Sequence, residues 1–182
     1  MQQAESEALL MAQQAAVERY ADDQRFTSAD VCDLHRMWLE PIYSWAGECR
    51  SVNMGKGGFQ FAHAPLIQRL MADLERGPLA EFTPCLPASD EAVAHALAVV
   101  HAELILIHPF RDGNGRVARL LALLMGLQAG LPPLNFSALD GRNKQNYIAS
   151  IHAALARNYV PLTAMFERVI ALTWKQHAAS SA

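Results

Sequence analysis

Hydrophobic positions along most of this chain recur at helical spacing, three or four residues apart. The first such stretch, about 3–21, is rich in Ala, Gln and Glu, with Leu9, Leu10, Ala16 and Val17 expected on one face. Around 29–40, Val31, Leu34, Met37 and Trp38 form a second stripe, and Pro41 closes that helix at Glu40. The segment Arg50–Phe61 reads differently: Gly55, Gly57 and Gly58 lie between short runs carrying Val52, Phe59 and Phe61. That pattern predicts a β-hairpin or glycine-rich flap. A helix is predicted over about 64–76, stopped by Gly77-Pro78, with a loop over 78–88 that contains Pro78, Pro84 and Pro87. Ser89 is a candidate N-cap, with Asp90 and Glu91 in the first turn that follows. From there Val93, Leu97, Val100, Leu104 and Ile107 mark one face, and Ala96 and Val99 add apolar character elsewhere. A helix apolar over so much of its circumference is expected at the centre of the fold. Pro109 ends it at His108; the next helix starts near Asn114, carries Val117, Leu120, Leu121, Leu124 and Met125, and breaks at Gly130-Leu131-Pro132-Pro133. Two more helices, about 142–157 and 161–177, complete the prediction: an all-α bundle with one small β-hairpin.

Composition narrows this only a little. At 182 residues, and with roughly 100–200 residues per domain, a single domain over 1–182 is expected. The chain is 52% apolar and 18% charged, which excludes disorder as its main character. A net charge of −3 argues against a nucleic-acid-binding face. The apolar excess points to a well-packed core, or to some surface kept for a partner. Cys32, Cys49 and Cys85 are odd in number and form no C-x-x-C pair, as expected of a reduced, cytoplasmic protein. The first twenty residues are not a signal peptide, and no apolar run reaches the roughly 18 residues of a membrane span. His95 and His101, six apart, do not make a metal-ligand pair on one helical face. Trp38 and Trp45 are expected to anchor the core.

The chemistry is concentrated in His108–Arg119, HPFRDGNGRVAR. A proline-terminated helix delivers His108 to the start of a loop, where its imidazole can take a proton from an attacking hydroxyl. Gly113-Asn114-Gly115 then opens a new helix, whose N-terminal N–H groups and dipole attract anions. Arg116 and Arg119, three apart, add two guanidinium forks on neighbouring positions of that helix. Asp112 supplies a hard oxygen beside the phosphates, suited to Mg²⁺. Base, metal ligand, anion nest and charge clamps together describe phosphoryl or nucleotidyl transfer.

The same stretch matches H-P-F-x-[D/E]-G-N-G-R-x-x-R, and the chain thereby resembles the Fic family. Tyr43-Ser44-Trp45-Ala46-Gly47-Glu48-Cys49-Arg50 is similar to that family's Y-x-W-A-G-x-x-R element. Lys56-Gly57-Gly58-Phe59-Gln60-Phe61 resembles its flap, and Tyr159-Val160-Pro161-Leu162 its closing segment, so the likeness covers about 31–166. The resemblance implies a Fic-like helical bundle and transfer of AMP from ATP to a Tyr, Thr or Ser hydroxyl of a target protein. It implies that His108 is the base and Asp112 the Mg²⁺ ligand. Gly113, Asn114 and Gly115 would form the anion hole for the α- and β-phosphates, with Arg116 and Arg119 on the leaving group. Met54, Gly55, Lys56, Gly57, Gly58 and Phe59 would dock the target by β-strand addition. Adenine and ribose contacts are expected around Asn143 and Tyr147, although Tyr147 reads equally well as a core aromatic.

Fic enzymes are typically silenced by a helix bearing [S/T]-x-x-x-E-[G/N], whose glutamate pairs with the second motif arginine, here Arg119. In this chain only Ser44–Glu48 and Thr163–Glu167 have the spacing, and neither has the following Gly or Asn. The expectation is a toxin-like enzyme inhibited in trans by a small helical antitoxin, the alternative being Thr163–Glu167 as a degenerate brake. Competing functions are a Doc-like protein kinase, transfer of another nucleotide or of phosphocholine, and a non-catalytic binding module. The intact Gly113 and Gly115 favour AMP transfer over the kinase.

Overall fold

A computed structural model describes residues 2–86 and 89–180; Pro87, and the ends of the expected 1–182 domain, lie outside them. Seven helices and a two-strand hairpin make up the described residues, as the hydrophobic spacing predicts. Helix α1 (Gln2–Arg19) lies on α2 (Ser28–Leu39). Its buried positions are Glu5, Ala12 and Ala16, whereas Leu10, Met11 and Val17 are exposed. The predicted apolar face is therefore corrected: small alanines let α1 approach its neighbours closely, and the larger side chains turn outward. Helix α2 starts on a capping box, with the Thr27 hydroxyl accepting from the Asp30 N–H and the Asp30 carboxylate accepting from the Thr27 N–H.

After the hairpin comes α3 (Ile67–Leu74). The predicted stop at Gly77-Pro78 does not occur. The chain continues through a wider, π-helical turn, Glu75–Leu79, and a last helical turn, Ala80–Phe82. The wide turn carries Pro78 without a break, and buried Leu79 extends the apolar face of Ile67, Met71 and Leu74.

Helix α4 (Asp90–Ile107), capped by Ser89, is central as expected and packs against α3, α5 (Asn114–Gln128) and α7 (Val160–Ser180). The Tyr159 hydroxyl donates to Glu103 and ties the start of α7 to α4. Helix α6 (Lys144–Ala153) rests on α7. The largest fully buried side chains, Trp38, Phe26, Phe110 and Phe166, belong to one continuous core. Because α4 and α5 are both core helices, the loop 108–113 between them is held at both ends by packing. No helix among the described residues is long and apolar enough to cross a membrane.

Buried His101, midway along α4, has its Nε2 2.8 Å from the Tyr147 hydroxyl, and burial pushes its pKa down to about 4. An unfolded histidine titrates near pH 6.5. The neutral ring's stabilisation is therefore complete above about pH 6.5 and lost as pH falls toward 4. Urea midpoints across a pH series should be flat above neutrality and fall through that window, with His101→Gln flattening the fall.

Candidate active site

His108 caps the C-terminus of α4 in the left-handed conformation (φ 52°, ψ 58°), unusual for a residue with a Cβ and a common mark of functional loops. Its Nδ1 lies 3.1 Å from the Ile105 carbonyl. That carbonyl can only accept, so Nδ1 carries the proton and Nε2 is left with a free lone pair. The ring stacks on Phe61 at 3.6 Å between centroids. Burial pushes its pKa down to about 4, and the Arg50 and Lys56 charges act in the same direction. The imidazole is thus neutral at pH 7 and able to accept a proton.

Three side chains shape the loop that follows. Asn114 is buried; its Oδ1 accepts from the Phe110 N–H and its Nδ2 donates to the Phe110 carbonyl, both at 2.8 Å. The Phe110 ring stacks on His35 at 3.9 Å. His35 accepts the Gly47 N–H at Nδ1 (2.7 Å) and donates from Nε2 to the Asp112 carbonyl (3.1 Å). Arg50, itself buried, donates to the carbonyls of His108 (2.7 Å), Val52 (2.6 Å), Ala62 (2.7 Å) and Ile107 (3.3 Å). Its backbone N–H donates to the Pro109 carbonyl. One guanidinium thus joins the base, the end of α4 and both sides of the flap.

Gly113 (φ +82°) starts α5, and a Cβ there would collide with the Trp38 ring, so both conformation and space require glycine. A Cβ on Gly115 would meet nothing within 4 Å, which leaves the helix N-terminus open to an incoming anion. Asp112 is exposed, and its Oδ1 accepts the Gly113 N–H at 2.6 Å. Arg116 lies over the Trp38 ring, 4.4 Å from its centroid. Its Nη1 is 3.0 Å from Glu5 Oε2, and its Nη2 is 3.7 Å from Asp112 Oδ1. Arg119 grips both carboxylate oxygens of Asp140 at 2.8 and 3.1 Å.

The flap is an antiparallel pair, β1 (Gly55–Lys56) and β2 (Phe59–Gln60), registered Gly55↔Gln60 and Lys56↔Phe59. Gly57 and Gly58 both have positive φ, the geometry of a tight two-residue hairpin turn. Phe59 stacks on His152 of α6 at 4.5 Å, and Phe61 on His108, so the flap is fixed beside the base.

The sequence profile of the Fic/DOC family matches residues 25–125, a span that includes the flap, the His108 loop and most of α5. This chain belongs to the Fic/DOC family. Among similar proteins, the Sinorhizobium fredii protein y4lH, named a probable protein adenylyltransferase, is 32% identical over 142 residues, 75% of this chain and 69% of that one. The protein adenylyltransferase fic-1 of Caenorhabditis briggsae is 32% identical over 128 residues, 69% of this chain. This Fic chain spans only 23% of that relative's length. The fold matches BepC of Bartonella tribocorum, solved with bound AMPPNP, at TM-score 0.75 and 23% identity, covering 91% of this chain and 83% of that one. It also matches the N-terminal Fic domain of a Bep effector from Bartonella quintana, solved with bound ADP, at TM-score 0.73 and 25% identity, covering 92% and 85%.

Within this Fic fold the residues expected at the site fall into three groups. His108, Asp112, Gly113, Gly115, Arg116 and the flap lie together around the N-terminus of α5, with Arg119 one turn further along the helix and held by Asp140. Asn114 belongs to the same loop but faces inward, so it shapes the anion hole through the Phe110 backbone. The third group is the expected adenine region. There Asn143 ends the short turn Gly141–Asn143 beside Asp140, while the Tyr147 hydroxyl is turned to His101 in the core.

Sequence reasoning missed Glu5, His35 and Asp140. His35 carried a legible signal, a polar residue on the apolar stripe of its helix, whereas Glu5 lies on a face of α1 that the larger apolar residues do not mark. Asp140 carried none, because only the fold brings it to Arg119. Glu5 also accepts from the Tyr43 hydroxyl at 2.8 Å. That bond and the Arg116 guanidinium hold its carboxyl below the usual carboxylate range. Its negative charge occupies the arginine that phosphates would use. Glu5→Gln should therefore tighten binding of a polyphosphate anion at this helix N-terminus about threefold, in line with the modest worth of a partly exposed ion pair; unchanged or weaker binding would show that Glu5 does not compete for Arg116.

Proposed function

We propose that this chain transfers AMP from ATP to a hydroxyl side chain of a target protein. The observation that carries the reading is the neutral His108, its Nε2 lone pair free, between the flap and an anion nest with both Gly113 and Gly115 intact. The hydroxyl proton passes to His108 Nε2, and the hydroxyl oxygen attacks the α-phosphorus. The bond to the α–β bridging oxygen breaks, and pyrophosphate leaves with the electron pair. The N-terminus of α5 stabilises charge on the phosphates, and the arginines face the leaving group. The adenylyltransferase names of the relatives support AMP as the transferred group. The AMPPNP and ADP in the two Bartonella structures support a nucleotide in this fold.

The donor chemistry fits Mg²⁺. One exposed carboxylate, with an oxygen fixed by the Gly113 N–H, suits an ion that keeps water and phosphate among its ligands. Asp112 would hold it, and when bound it would neutralise phosphate charge. The exposed strands of the flap offer backbone groups to an extended target segment by strand addition.

Inhibition in trans by a small helical antitoxin, with the enzyme acting as a toxin in the cytoplasm, is part of this proposal. Its support is the Arg119–Asp140 pair, which is exposed on the Asp140 side and open to displacement by an incoming glutamate. Thr163 and Glu167 line a groove with Ser89, Glu91 and His95, while Arg119 is held by Asp140. That placement weighs against Thr163–Glu167 as an internal brake. Expression of the chain alone should arrest growth; harmless expression of a chain that labels protein would sink the toxin reading.

The deciding experiment is incubation with a bacterial lysate and ATP labelled at one phosphate. Label on protein from the α-phosphate is expected. Label from the γ-phosphate would make the chain a kinase, and no label would make it a binding module.

A further inference from the structure

Cys32 of α2 and Cys49, just before Arg50, line the same cavity, about 500 Å³ in volume, together with Ser28, Gly47 and Met71. Both are half-buried, so the cavity gives a small solute access to them, whereas Cys85 is buried elsewhere. The two thiols lie close enough to couple electrostatically. We propose that Cys32 and Cys49 form an oxidant-sensitive dithiol, with Cys49 the attacking sulfur and a hydroperoxide the oxidant, closing to a reversible disulfide.

The electrostatics assign the roles. Coupling to Cys32, aided by the nearby Arg50 charge, pulls the Cys49 thiol down to about 7. The same coupling and burial push the Cys32 thiol up. A thiol near pH 7 combines a substantial thiolate fraction with good nucleophilicity. The Cys49 thiolate attacks one peroxide oxygen; an S–O bond forms, the O–O bond breaks, and the departing oxygen takes a proton to leave as water or alcohol. The product is the Cys49 sulfenic acid. Cys32 then loses its proton, and its sulfur attacks the Cys49 sulfur. The S–S bond forms, the S–O bond breaks, and the leaving hydroxide takes that proton as water. Two thiols are oxidised and one peroxide is reduced.

The bridge would tie to α2 the residue next to Arg50, whose guanidinium holds the His108 and flap carbonyls. Cysteine pairs that cycle in this way are the usual form of disulfide in a reducing compartment.

The test is peptide mapping of the full chain during titration with hydrogen peroxide, which needs no nucleotide and so fails or succeeds independently of the AMP-transfer reading. The expected result is loss of two hydrogens, a Cys32–Cys49 linked peptide, a free Cys85 thiol, and recovery with dithiothreitol. Cys49 should react at least tenfold faster than Cys85, whose thiol burial pushes up to about 11. In Cys32→Ser, a sulfenic acid trapped by dimedone should accumulate on Cys49. Equal reactivity of Cys49 and Cys85, or bridges only between chains, would overturn the assignment; the wild-type measurement stands even where a variant folds poorly.

Discussion

His108→Ala removes transfer of α-labelled phosphate by at least 10²–10⁴-fold, the usual worth of a positioned base, while the chain stays folded. The loss should be this large because no neighbour can replace the ring. Nδ1 is spent on Ile105, and Nε2 alone is free beside the nest. The fold should survive, since the bonds that hold the loop run through the His108 carbonyl and the Asn114 side chain rather than through the imidazole. Far-ultraviolet circular dichroism and a cooperative urea transition check the fold, and label incorporation checks the chemistry. A variant that still labels at the parent rate shows that His108 is not the base. The acid side of the parent's rate profile gives an independent reading. A neutral ring whose pKa is about 4 keeps its base form down to that pH, so activity should hold through pH 6 and fall only where the protein itself begins to unfold. An acid limb at pH 6.5 would mean the ring is solvated as in a free histidine.

Arg50→Ala should cost about 3 kcal/mol of stability or more and abolish transfer with it. The four carbonyls that Arg50 serves belong to Val52, Ala62, Ile107 and His108. Each buried acceptor left without a donor costs on the order of 1–3 kcal/mol, less where water enters the gap. Against a typical total of about 5–15 kcal/mol, that loss is severe. Arg50→Lys keeps the charge but not the planar fork, so it should recover part of the stability and little of the activity. Urea denaturation and label incorporation on the same samples separate the two effects. A stability change below about 1 kcal/mol for the alanine variant would show that these bonds do not hold the loop.

Much of the fold is legible in the order of residues. Helical periodicity locates all seven helices, and Ser89 and Pro109 bound the central one correctly. Two local rules mislead. Gly77-Pro78 stops an ordinary helix, but a wider turn absorbs the proline when Leu79 must still be buried. In α1 the larger apolar residues suggest the inner face, yet the close approach of α2 favours alanines, and Leu10 and Val17 turn outward.

The place of Tyr147 is also a tertiary matter. Four-residue spacing puts it on a face with Asn143, but His101, on another helix, takes its hydroxyl.

From its order of residues alone the chain determined which polar groups gather at the candidate site. His108, Asp112, the two glycines and the arginines lie within twelve residues, and a helix end followed by a helix start must bring such neighbours together. What only the folded molecule decided is the electrostatic state of those groups. Glu5 reaches Arg116 from 111 positions away, Asp140 takes Arg119, Arg50 holds the loop to the flap, and burial keeps His108 neutral. These couplings depend on distances across the core, and residue spacing along the chain carries no record of them.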